Sequence, residues 1–158
     1  MESVRIAGHP IHPMLIPFPI ALWTFSLGCD FIYLFEFGGP VWKDIALYTM
    51  VTGVAGGLLA AIPGFLDYRT LTEPRTVRLA QWHMAINVTI IVLYSINTWL
   101  RAGSGPNAVM PVMLSLLGVS LLGISGWLGG ELVYVHGVGV EESQRAAKAS
   151  SAKQQRAA

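Results

Sequence analysis

Charge is scarce in this chain. Asp, Glu, Lys and Arg make up 12% of its 158 residues and 53% are hydrophobic, with a mean hydropathy of +0.55. A soluble domain has roughly a quarter of its residues charged, so this apolar surplus excludes an ordinary water-soluble fold and calls for lipid. Sulfur ligands are scarcer still. Cys29 is the single cysteine, which excludes an internal disulfide and a thiolate metal cluster within one chain. The ten basic residues are scattered rather than gathered, and with a formal net charge of +1 they give no basis for nucleic-acid binding. No HExxH pair, phosphate-binding glycine loop or nucleophile constellation occurs, so hydrolysis and phosphoryl transfer have no support.

Four apolar runs are present, at about 14–37, 45–66, 82–100 and 109–128. Each is near the 20 or so residues needed to span roughly 30 Å of hydrocarbon. The expected fold is all-α: a polytopic, up-down bundle of four transmembrane helices over 1–140, followed by a polar tail from Glu141 to Ala158. Pro13, Pro17 and Pro19 open the first run, so regular helix is expected only from about Pro17 or Pro19. Asp30 lies deep in this run, where an unpaired charge is costly, and is expected to face the bundle, either neutral or partnered. Gly53 and Gly57, four apart, suit close helix packing. Pro63-Gly64 suggests a kink, residues 68–81 read as a polar loop, and Gly129-Gly130 is expected to loosen or end the fourth helix. Small residues on the fourth run make a homodimer reasonable.

Orientation follows from the basic flanks. Arg5, Arg69, Arg75, Arg78, Arg145, Lys148, Lys153 and Arg156 fall on one side of this arrangement, and only Lys43 and Arg101 on the other. The positive-inside rule then places both termini in the cytoplasm.

All four histidines fall at that same level: His9 and His12 in the segment His9-Pro10-Ile11-His12-Pro13, His83 at the head of the third run, and His136 after the fourth. Asp67 and Glu131 lie close by in depth. Imidazoles and carboxylates are ligands for zinc, iron, copper and haem iron. The polar ends of crossings are also where such residues sit for solvation alone. Residues before proline favour extended backbone, which puts His9 and His12 roughly 9 Å apart, too far to share one metal ion unless the chain bends at Ile11. His83 and Asn87, four apart, share a helix face.

Gly8-His9-Pro10-Ile11-His12-Pro13 running into Pro17-Phe18-Pro19, the Gly64-Phe65-Leu66-Asp67 end of the second run, His83, and Gly129-Gly130-Glu131-Leu132-Val133-Tyr134 with His136-Gly137-Val138-Gly139-Val140 resemble the bacterial membrane proteins catalogued as domain of unknown function 2231. The resemblance implies a fold in the bacterial inner membrane and a histidine pattern, but no settled reaction. Some relatives are joined to Rieske iron–sulfur domains, which by analogy suggests membrane electron transfer with a redox protein or larger complex. Phe18 stands where many relatives carry a histidine. Three readings follow: a b-type haem held by His83 with His136 or His12; a non-haem metal ion held by His9, His12, His83, His136, Asp67 and Glu131; or an accessory subunit without chemistry.

Overall fold

The computed structural model describes residues 4–103 and 109–140; the polar tail read from Glu141 onward lies outside them. A two-stranded hairpin pairs β1 (Arg5–Ile6) with β2 (His9–Pro10). Its turn places Ala7 and Gly8 at φ 49° and 81°, the left-handed pair that a two-residue hairpin of native twist requires. Helix α1 (Ile11–Leu15) follows directly, then α2 (Pro17–Leu34), α3 (Val41–Tyr68), α4 (Pro74–Gly103) and α5 (Val109–Tyr134).

Four stretches of helix are long and apolar enough to cross a membrane, with α1 and α2 together forming the first. Neighbours run in a closed square: α2 packs on α3, α3 on α4, α4 on α5, and α5 back on α2. Helices α2 and α4 are thus diagonal partners. They meet at the centre through Trp23 and Tyr94, whose rings stack 4.5 Å apart and within 3° of parallel. Met50, Ile90 and Leu122 complete this core.

Several boundaries differ from the expected ones, for local reasons. Helix α4 begins two turns before the apolar run, so the supposed loop 68–81 is helical from Pro74. Glu73 makes that start: its carboxylate accepts the backbone N–H groups of Arg75 (3.0 Å) and Thr76 (2.6 Å), and Pro74 stands at the first helical position, where a missing N–H costs nothing. Helix α5 continues through Gly129-Gly130 to Tyr134 before Gly137 takes a left-handed φ of 65°. Pro63 lies within α3, which runs on to Tyr68. His12 is not in extended chain: extended backbone ends at Pro10, and His12 lies in the first turn of α1. Three helices of 26 to 30 residues are roughly 40–45 Å long, exceeding the hydrocarbon thickness.

Candidate histidine site between two helical hairpins

His12 and His83 come together. One stands on α1 against α3, the other on α4 against α5, and their rings face edge-on across the seam with centroids 6.5 Å apart. Each is pinned from behind. His12 Nδ1–H donates to the Ala60 carbonyl at 2.8 Å, and His83 Nδ1–H donates to the Ser125 carbonyl at 3.0 Å. A carbonyl only accepts, so each Nδ1 carries a proton, and the neutral form of either ring has its lone pair on Nε2.

Glycine makes both seats. A Cβ on Gly64 would lie 2.8 Å from the His12 ring, and one on Gly129 would lie 3.2 Å from His83. Each glycine stands four residues beyond the carbonyl its histidine uses, one helical turn on, where a side chain would close the approach. Other helix glycines are occupied too: Gly53 and Gly57 by the Trp23 indole, and Gly118 by the Tyr94 ring. Aromatic side chains therefore take up the space that these bundle-facing glycines open. Any shared group has to sit between the facing imidazoles.

Asn87 adds a polar neighbour. Its amide nitrogen is 2.6 Å from the Ser125 hydroxyl, 2.8 Å from the His83 carbonyl and 3.2 Å from His83 Nε2. An amide has two hydrogens, and the two shorter contacts take both, which leaves the His83 Nε2 lone pair available.

The remaining candidates have other partners. His9 is exposed and donates through Nδ1 to the Ala7 carbonyl at 3.0 Å. Asp67, 9% exposed, accepts the Val4 N–H at 2.8 Å and so ties the N-terminal hairpin to the end of α3. His136 lies 2.8 Å from the Thr76 hydroxyl, which itself donates to Glu73 at 2.6 Å, so His136 Nδ1–H is the donor to Thr76. The Thr76 hydroxyl, then the backbone N–H groups of Arg75 and Thr76, hold the Glu73 carboxyl well below its usual range, to about 2. Glu131 is half-buried on α5, where its backbone carbonyl accepts the Val135 and His136 N–H groups. All these residues occupy one end of the bundle, as the topology requires, but no three of the His, Cys, Asp and Glu side chains among the described residues converge as metal ligands.

At the opposite end Asp30 has its partner. Arg101 grips it with two bonds of 2.6 and 2.7 Å and also donates to Asn97 and Ser115. Sequence reasoning placed Arg101 in a solvated flank because it follows the apolar run. The structure carries it inward within the last turn of α4, and its side chain is 10% exposed. Equally illegible were the carbonyls of Ala60 and Ser125, because a backbone acceptor has no residue signature. Gly64 and Gly129 were the visible trace.

No curated protein and no solved structure gives a significant match to the chain. A family model described as "predicted membrane protein" matches residues 8–142. With helices long enough to cross a bilayer and this match over most of its length, the chain belongs to the DUF2231 family of membrane proteins.

Proposed function

We propose that the protein binds haem b between His12 and His83 and serves electron transfer in the bacterial inner membrane, with both termini cytoplasmic. The observation that carries this reading is the facing pair of imidazoles, each with its Nδ1–H on a main-chain carbonyl. Ligating histidines are ordinarily oriented in this way, through a hydrogen bond from the nitrogen that does not bind the metal. Metal–nitrogen bonds of about 2.0–2.1 Å put the centroids of two imidazoles sharing one metal roughly 6 Å apart, close to the 6.5 Å found. The number of ligands favours haem over a non-haem ion. Structural and catalytic zinc sites take three or four protein ligands, whereas a haem brings four nitrogens of its own and needs two axial ones from the protein.

When bound, the haem would supply one-electron chemistry. His12 and His83 would hold it through Nε2, each with its Nδ1–H on a main-chain carbonyl, from opposite sides of the seam. In this reading His9, His136, Asp67 and Glu131 are not ligands.

Detergent-purified protein should show a Soret band and contain iron. His12→Ala and His83→Ala should each abolish the band, while His9→Ala and His136→Ala should retain it. A colourless, metal-free preparation would defeat the haem reading and leave the accessory subunit, which has its own support: each imidazole already has a structural partner, so the pair can join the two hairpins without a cofactor.

A further inference from the structure

The two halves of the bundle repeat each other's internal bonds. In the first half His12, Trp23 and Ser26 donate to the carbonyls of Ala60, Met50 and Ala46 on α3. In the second half His83, Tyr94 and Asn97 donate to the carbonyls of Ser125, Ser115 and Pro111 on α5. Every donor follows its counterpart at one constant offset, 71 residues, as 83 follows 12. Every acceptor follows at another, 65 residues, as 125 follows 60. The glycine seats obey the second offset: Gly64 and Gly129 lie under the imidazoles, Gly53 and Gly118 under the Trp23 and Tyr94 rings.

Matching burial alone would prove little, because any two bundle helices bury a residue every three or four positions. That periodicity does not dictate which position carries a polar donor, which carbonyl receives it, or where a glycine must stand. Three donor–acceptor pairs and two glycine seats in constant register require a common template.

The contacts between the halves identify the symmetry. His12 faces His83, Trp23 stacks on Tyr94, and Asp30 pairs with Arg101, and in each case a residue touches its own counterpart. Self-complementary contact of this kind marks a two-fold axis. The three contacts come in the same order along α1–α2 and along α4, so α2 and α4 run parallel and the axis lies along the bundle, as in membrane proteins with parallel repeats.

We infer that the chain is a tandem duplication of one helical hairpin, folded as an internal pseudo-dimer in which the inner face of each hairpin takes a second hairpin of the same design, and that Asp30–Arg101 on the axis commits the unlike halves to each other. Two copies of the first half would set Asp30 against Asp30, and two of the second would set Arg101 against Arg101. Like charges in a buried contact reject such pairings, and opposite charges accept the native one. His12 and His83 stayed alike, which suits a group bound equally from both sides; that clause alone rests on the histidine-pair reading.

The test exchanges the axial charges in the full-length protein and follows melting by tryptophan fluorescence, which requires no bound cofactor. Asp30→Arg and Arg101→Asp should each lower the melting temperature by about 10 °C or more, because each buries like charges together. The double variant should recover most of the loss, since the two positions are related by the two-fold axis and opposite charges face each other again. Exchanging their neighbours as well, with Ser26→Asn and Asn97→Ser, should bring the protein within about 5 °C of the parent; this comparison stands even when the single variants fail to fold. A double variant that melts no higher than the better single, or a quadruple variant that does not fold, would overturn the inference. A colourless preparation would leave this test intact.

Discussion

At the scale of single residues, glycine and its aromatic or imidazole neighbour act as one unit. A Cβ on Gly64 meets His12 at 2.8 Å, closer than real Cβ contacts occur, while one on Gly129 meets His83 at 3.2 Å. Gly64→Ala should therefore displace His12 from the Ala60 carbonyl and cost about 2–3 kcal/mol, combining overpacking with a lost hydrogen bond. Gly129→Ala should cost about 1 kcal/mol or less, because a small retreat of the ring suffices and alanine is the better helix former. Gly28 has nothing within 4 Å of its built Cβ, so Gly28→Ala should stabilise by up to about 1 kcal/mol. Thermal melting of the three variants ranks them; Gly64→Ala melting with or above Gly129→Ala would contradict the seat geometry. Asp30 illustrates the same scale from the sequence side. A carboxylate in an apolar run had to be neutral or paired, but the identity of its partner, 71 residues away, is a fact of packing.

At the scale of elements, α4 owes its early start to Glu73. With its carboxyl held at about 2 against an ordinary 4.5, Glu73 binds protons more weakly in the folded protein than in the unfolded chain. A depressed folded-state pKa gives stabilisation that is present above about pH 4.5 and is lost as pH falls from there toward 2. Glu73→Gln should remove this acid-dependent share. Hydrogen exchange at the amides of Arg75 and Thr76 should quicken in the wild type between pH 4.5 and 3, beyond the intrinsic trend, and should show no such transition in Glu73→Gln. The start of α4 was misread from the sequence because residues 68–81 are polar and hydropathy weighs side chains. The helix is decided there by a carboxylate accepting two backbone N–H groups, an event hydropathy does not see.

At the scale of the whole molecule, the square arrangement and the parallel course of α2 and α4 make one orientation serve both halves. The expected orientation places both termini in the cytoplasm, from the basic flanks. Reporter fusions after Ala158 and beside Gly103 should report opposite sides of the membrane; the same side for both would break the topology and the up-down order with it. Arg101, counted among the flanking charges, is occupied by Asp30 inside the bundle, so removing the Arg101 charge should leave orientation unchanged.

The number of membrane-length helical stretches, their apolar character and the common level of the histidines were determined by sequence alone, because hydropathy is summed over some 20 residues and survives any detail of packing. The duplication was not legible there. Aligned at its own offset, the stretch 12–30 shares with 83–101 only His12/His83, Ile20/Ile91 and Leu22/Leu93, since a lipid-facing position accepts almost any apolar residue. Only the tertiary structure decided that His12 rather than His136 faces His83, that Arg101 answers Asp30, and that Gly53, Gly57 and Gly118 admit aromatic rings. Those outcomes depend on backbone carbonyls and on distances across the seam, and neither is written in the identity of a residue.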